Sequence, residues 1–394
     1  MLLASTACLL AAVAWPIAVG GLSAEAHEPA PNAVVAPVQG TATPSEAPVI
    51  QLALLLDTSS SMDGLIDQAR TQLWSVVNAL DSATHQGKAP QLQIAVYEYG
   101  NDTLSERGGW IRQVQPFTAE LDSVSRALFS LTTNGGTELA GEAIVRSLDE
   151  LSWAEGGGVL KVAYIAGNEG FEQGELSMNE AMAQASQKGV VVNTVYCGNA
   201  DEGDASGWRA AAGLAGGRFA SIDHNHVVQH IAAPQDEAIA RLGQELNDTY
   251  IHYGAHGRAG LDNMVEQDKN MIGYGAGSVV QRSMSKSSGM YRNDSWDLVD
   301  ALDGDKLALG EVERESLPEG YQDLDDEALA AAVEKQKTRR TEIQTEIAEL
   351  AAAREAYVAA ERERLGQEPG ALDQAILTGI RAQAEAAGFT LEGQ

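Results

Sequence analysis

Thiol chemistry has almost nothing to work with here: 394 residues include two cysteines, Cys8 and Cys197. Cys8 lies in an apolar N-terminal stretch, after Ser5-Thr6-Ala7 rather than the Leu of a lipoprotein site. Without that stretch Cys197 is alone, so no intrachain disulfide can form. It follows the run Val190–Tyr196 and reads as a small buried hydrophobe at a strand end. Positive charge is also scarce. Lys and Arg number 26 against 56 Asp and Glu, a formal net charge of −30. This balance excludes phosphate-backbone binding, which needs basic patches, and adhesion to anionic lipid. It suits an acidic protein that draws cations or basic partners. Catalytic signatures are missing too: there is no Gly-x-Ser-x-Gly elbow, no Walker loop and no His-Glu-x-x-His.

What the chain has begins with the apolar run from Met1 to Trp15, followed by small residues at Ser23-Ala24-Glu25-Ala26 before His27. Residues 1–26 read as a secretory signal, although no Lys or Arg precedes the apolar stretch. Pro16, Gly20 and Gly21 break the run well short of the ~20 residues that a membrane span needs. The expected location is periplasmic or secreted, with no integral span after cleavage. Pro29, Pro31, Pro37 and Pro44 make 27–47 a tether.

From residue 48 strands and helices alternate. Val49–Leu56 is nearly continuous in apolar residues, as a fully covered parallel strand should be. Leu65, Ala69, Leu73, Val76, Val77 and Leu80 follow at helical spacing. Strands are expected at Gln91–Tyr99, Trp110–Val114, Val159–Ala166, Val190–Tyr196 and Arg218–Ile222. Helices fall between them, including Glu138–Leu151 and Trp208–Leu214. The fold class is therefore α/β, a doubly wound and mostly parallel sheet over 48–232, followed by an α-helical C-terminal region. Ligands in such sheets bind at the carboxyl ends of strands.

At one such end stands Asp57-Thr58-Ser59-Ser60-Ser61-Met62. One carboxylate and two hydroxyls in a tight turn can hold a hard divalent cation through oxygen. Otherwise the same residues serve as a helix N-cap. A second loop, Asn134-Gly135-Gly136-Thr137, leads into a helix. The two segments closely resemble the metal-ion-dependent adhesion site of von Willebrand factor type A domains, whose first motif is a hydrophobic strand followed by Asp-x-Ser-x-Ser. The resemblance covers about residues 48–232, roughly half the chain. It implies that Ser59, Ser61 and Thr137 coordinate Mg²⁺, Mn²⁺ or Ca²⁺ and that Asp57 supports them. It also implies that a protein partner completes the shell with an Asp or Glu. The family's third motif places an aspartate just past a central strand. Here Ala166-Gly167-Asn168-Glu169 puts Gly167 at that position, and Asn168 or Glu169 could substitute if the turn shifts by one or two residues. Glu98 and Asp102 lie at the same rim, where solvation is the expected role.

Beyond residue 232 two regions are expected, 233–317 and 318–394. Residues 254–295 are rich in Gly, Ser and Asn without clear periodicity, and Gly273-x-Gly275-x-Gly277 reads as flexible linker. Asp325–Leu365 runs about eleven turns at ~3.6 residues each without Gly or Pro. Ile343, Ile347, Leu350 and Tyr357 form a coiled-coil-like seam, interrupted by Gln336, Arg340, Arg354 and Glu361. This helix pairs with 371–387 as a candidate hairpin and offers a possible oligomer contact through 325–365. Asp223, His224, His226 and His230 have metal-like composition but read as a polar loop.

The leading functional expectation is divalent-cation-dependent protein binding in the cell envelope, without enzymatic activity. The first alternative is a metal-independent scaffold that uses the C-terminal helices. The second is a hydrolytic enzyme or subunit, disfavoured because no His is placed beside Ser59 or Ser61.

Overall fold

The computed structural model describes residues 47–222, 230–366 and 371–391. The expected signal segment 1–26, nearly all of the tether 27–47, and Asp223, His224 and His226 lie outside them. In chain order the first elements are β1 (Val49–Asp57), α1 (Asp63–Leu80), β2 (Ala83–Thr84), β3 (Gln91–Tyr99) and β4 (Ile111–Thr118). Then come α2 (Leu121–Ser130), α3 (Ala140–Glu150), β5 (Val159–Gly167), α4 (Met178–Gln187) and β6 (Val191–Cys197). Next are α5 (Ala200–Ala205), α6 (Trp208–Leu214), β7 (Phe219–Ile222), α7 (Asp236–Asn247), α8 (Gly257–Gly273) and α9 (Ala276–Ser287). The chain ends with α10 (Leu298–Asp303), α11 (Glu319–Gln322), α12 (Asp326–Leu365), α13 (Ala371–Ala386) and β8 (Thr390–Leu391).

The main sheet has the order β4-β3-β1-β5-β6-β7, with β4 antiparallel and the rest parallel. It is the doubly wound α/β sheet expected from the strand–helix alternation. Alternation along β1 serves both faces. Ile50, Leu52 and Leu56 join a core with α1, α2 and α13, while Ala53 and Leu55 join a second core with α3, α4 and α6. β1 lies between β3 and β5, so the chain turns one way after β1 and later returns to its other side. That switch places a crevice at the carboxyl end of β1, where Asp57 sits.

The Gly-rich region 254–295 holds two helices, α8 and α9, rather than aperiodic chain. Their glycines mark close approaches. A Cβ on Gly277 would meet His230 Nδ1 at 2.6 Å, and one on Gly243 in α7 would strike Ser283 of α9. Gly275, at φ 96°, is the N-cap of α9 and turns the chain between the two helices, so the triple-glycine stretch is a helix junction. Close packing outweighs the low helix propensity of glycine here.

Buried ion pairs hold these helices to the sheet domain. Arg282 of α9 is 2% exposed, and its guanidinium reaches Asp122 of α2 at 2.8 Å and Asp268 of α8 at 2.6 Å. It also lies over the Trp74 ring of α1 at 4.4 Å. Lys286, 1% exposed, adds a second bond to Asp268 at 2.9 Å. Burial works against the Asp268 carboxylate, but the Arg282 and Lys286 charges outweigh it and hold its pKa down to about 2.

The seam of α12 is continuous. Leu329, Val333, Arg340, Ile343, Ile347, Arg354 and Val358 are all buried, so Arg340 and Arg354 belong to the stripe instead of interrupting it. Arg340 donates to Asp297 and Asp300, each at 2.7 Å, and to the Thr249 carbonyl at 2.8 Å. Arg354 donates to Asp236 at 2.7 Å, and Asp236 also pairs with His230. Tyr357, read as a seam residue, is 39% exposed, and Val358 takes the buried place. The stripe thus packs against α7, α9 and α10 of the same chain. The last helix, α13, packs on the sheet and α1 through Ile380 and Ala384. Asn193 of β6 and Gln383 exchange two amide hydrogen bonds, 3.1 and 2.7 Å.

Removing one partner of a buried pair strands the other charge. Arg282→Ala should therefore cost about 3–5 kcal/mol of stability, read by urea unfolding of the full chain. The depressed pKa of Asp268 makes its contribution fully present above about pH 4 and lost as pH falls through about 2. Asp268→Asn should flatten the acid limb of the stability–pH curve in that window.

Candidate metal centre

Asp57 ends β1 and is fully buried, and the chain turns sharply after it. Its Oδ1 accepts from the Ser59 amide at 2.7 Å, which ties the turn to its own first residue. Its Oδ2 is buried and has no hydrogen-bond partner. The hydroxyls of Ser59 and Ser61 lie 3.4 Å apart, and Asn168 Nδ2 donates to Ser61 Oγ at 3.1 Å. Asp57, Ser59, Ser61 and Asn168 are thus brought together.

The second loop is zipped onto this turn by backbone. Ser60 N donates to Gly135 O at 2.9 Å, Gly135 N to Ser60 Oγ at 2.7 Å, and Asn134 N to Thr58 O at 3.0 Å. Gly135 has φ 62°, a left-handed conformation that glycine adopts without strain. Any Cβ there would collide with the side chain of Asp102. A Cβ on Gly136 would come within 2.8 Å of Ser59 Cβ. Thr137 follows directly, half-buried, with no hydrogen-bond partner for its hydroxyl among the described residues. The loop therefore brings Gly136, the residue before Thr137, against Ser59.

The third corner differs. Gly167 ends β5, and a Cβ on it would lie 2.5 Å from Tyr99 Oη, 3.1 Å from Trp208 and 3.2 Å from Asp57 Oδ2. Tyr99 Oη is fixed by donating to the Ala166 carbonyl at 2.9 Å. The space an aspartate would enter is filled by aromatic side chains. Glu169 is exposed, and its backbone carbonyl accepts from Trp208 Nε1 at 2.7 Å. Its carboxylate is near enough to push up the pKa of both Asp57 and Glu138. The remaining oxygen of Asn168, Oδ1, is buried without a partner.

Two acids escaped the sequence reading. Glu98 is 1% exposed instead of solvated, since it pairs with Arg112 of β4 and accepts from Thr58 Oγ1 at 3.2 Å. Glu138 was read as the first residue of a helix, but α3 begins at Ala140. The carboxylate of Glu138, 8% exposed, turns back to the serine turn: a Cβ on Gly136 would meet Glu138 Oε1 at 2.1 Å and Ser59 Cβ at 2.8 Å. An acid directly after the loop threonine was the available signal.

Electrostatically the site is a concentration of uncompensated negative charge. Burial pushes Asp57 up to about pKa 7, partly opposed by the Ser59 amide and reinforced by Glu138. Burial, with Glu169 beside it, raises Glu138 as well. Among the described residues no three His, Cys, Asp or Glu side chains form a metal cluster. The donor set is instead two hydroxyls, a third on Thr137, and buried carboxylate oxygen, a hard-oxygen set that suits Mg²⁺, Mn²⁺ or Ca²⁺. The orphaned Oδ2 of Asp57 fits such an ion.

Cys197 lies buried and unpaired at the end of β6, as its sequence context suggests. Among solved structures, the chain is similar to the protein BatB from Bacteroides thetaiotaomicron, at 17% identity and TM-score 0.34, covering 44% of this chain and 90% of that one. It is similar to the SpRpn10 VWA domain at 11% identity and TM-score 0.34, covering 44% and 88%. A third likeness is to proximal thread matrix protein 1 of the mussel byssus, with a zinc-occupied MIDAS motif. That match has 15% identity and TM-score 0.33, covering 44% and 42%. A search of the curated proteins returns no match. In sequence, the family model of the von Willebrand factor type A domain matches residues 51–207. Those residues carry β1 through β6 and all three loops of the site, and they are a von Willebrand factor type A domain.

Proposed function

We propose that this protein is a divalent-cation-dependent protein-binding module of the cell envelope, periplasmic or secreted, and that it has no enzymatic activity. Von Willebrand factor type A domains are commonly protein-interaction modules, and the N-terminal apolar segment with its small-residue site supports export. Among the described residues no helix is long and apolar enough to cross a membrane.

One observation carries the cation dependence: Asp57 Oδ2, fully buried and unpartnered, beside two hydroxyls 3.4 Å apart. Ser59, Ser61 and Thr137 would hold Mg²⁺, Mn²⁺ or Ca²⁺, and Asp57 would balance its charge. A bound ion would supply a Lewis-acidic point for an oxygen from outside. The partner accordingly presents an Asp or Glu. Asp57 orients the turn through the Ser59 amide, and the Gly135 loop fixes Thr137 beside it. The net charge of −30 favours a partner with basic flanks and disfavours nucleic acid.

A metal-independent scaffold is the second reading, and Gly167 favours it, because the family's third carboxylate is missing. Binding of a partner that survives EDTA would decide for that reading.

Isothermal titration with Mg²⁺ or Mn²⁺ should show binding that Asp57→Ala removes. Equal inertness of both proteins would defeat the cation reading. At a cation concentration about a hundredfold above Kd, thermal unfolding should shift by about 2.7 kcal/mol of stability. The pH sense follows from the raised pKa of Asp57. Without metal its contribution is fully present below about pH 4 and is lost as pH rises through about 7. Asp57→Asn should remove that slope, and added cation should stabilise wild type more at pH 8 than at pH 5. Gly167→Asp, which writes in the family's third-motif residue, should destabilise the fold by about 1–3 kcal/mol without tightening cation binding, because its side chain meets Tyr99 and Trp208.

A further inference from the structure

The two buried acids at this site have no cation to balance them. Asp57 is fully buried and Glu138 is 8% exposed, and among the described residues no Lys, Arg or His pairs with either. They converge on the same glycine: a Cβ on Gly100 would meet Asp57 Oδ1 at 2.8 Å and Glu138 Cγ at 2.9 Å. Glu138 accepts from Gln173 Nε2 at 3.4 Å, and a Cβ on Gly136 would meet both Glu138 Oε1, at 2.1 Å, and Ser59 Cβ, at 2.8 Å, so its carboxylate faces the serine turn. Independently of that cluster, Asp57 Oδ2 is buried without a partner. Burying a carboxylate without a counter-charge is costly, and burying two together more so. The third corner, meanwhile, has lost its carboxylate to Gly167 and the aromatic packing behind it.

We propose that Glu138 is a direct oxygen ligand of the divalent cation and supplies, from the second loop, the negative charge that the third loop lacks. This rests on the reading of the Asp57 turn as a cation site. Two carboxylates match the charge of a divalent ion, and a carboxylate beside two or three hydroxyls is an ordinary donor set for Mg²⁺ or Mn²⁺. Glu138 directly follows Thr137, so one turn of chain delivers both donors. Glu169 is the natural comparison, because it carries the same charge nearby but is exposed.

The test is Mn²⁺ titration of the full chain, by calorimetry and by the spin-resonance signal of free Mn²⁺. Four proteins are compared: wild type, Asp57→Ala, Glu138→Gln and Glu169→Gln. Glu138→Gln should weaken Mn²⁺ binding about tenfold or more, and Glu169→Gln less than about threefold. In metal-free buffer Glu138→Gln should unfold at the same temperature as wild type or a higher one, because a buried charge has been removed. That result separates loss of a ligand from loss of the fold. Glu138→Asp, which keeps the charge on a shorter arm, should recover part of the affinity. If wild type binds Mn²⁺, Asp57→Ala does not, and Glu138→Gln binds as wild type does, Glu138 is not a ligand while the cation site stands. If wild type itself does not bind, the cation reading fails, and the assignment of Glu138 with it.

Discussion

The architecture depends on a charge that has nowhere else to go. Arg282 is sealed between Asp122 and Asp268 and under the Trp74 ring. Any displacement of α9 from α1, α2 and α8 would leave a guanidinium or a carboxylate buried alone. Replacing such a pair by apolar residues is often neutral in stability, so its effect lies chiefly in excluding other packings. The same device recurs along α12, where Arg340 and Arg354 reach acids on α10 and α7. Three arginines thus fix the helical half of the molecule in one register, which apolar stripes alone would leave open to sliding.

The consequence reaches the site through α1. That helix starts one residue after Met62 at the serine turn, and its far half is clamped by α9, where Ser285 Oγ donates to the Trp74 carbonyl at 3.0 Å. The loop bearing Thr137 is bonded by backbone to the turn bearing Ser59. Donors are thereby held in place before any ligand arrives, so little ordering is left to oppose binding. What the frame does not supply is positive charge. At the rim Arg112 serves Glu98, while Asp57 and Glu138 have no arginine among the described residues.

Much of this was legible in the sequence, because the signals were local. The apolar run of β1, the Asp57-Ser59-Ser61 turn and the Gly-Gly-Thr loop each declare themselves within a few residues, and the structure brings the loops together. The departure at Gly167 was visible too, but its cause, Tyr99 and Trp208 filling the space, was not. The illegible parts are those whose partners are distant in the chain. Arg340 looked like a broken seam because Asp297 and Asp300 lie far upstream. Gly277 looked like flexible linker because the side chain it admits, His230, comes from another element. Glu138 looked like helix, although its place directly after Thr137 was a local signal, because Ser59 and Gly100, beside which its carboxylate lies, are distant in the chain.

The last elements also set an order of events. β8 pairs with β2, and Ile380, Ala384 and Phe389 fill one face of the sheet beside Leu160, Val162 and Ile222. Residues near 390 thus complete a cover that α1 and α2 begin, and they give the segment after α1 its strand partner. The sheet that carries the site draws part of its core from residues far along the chain. Contacts closed over so long a loop form slowly.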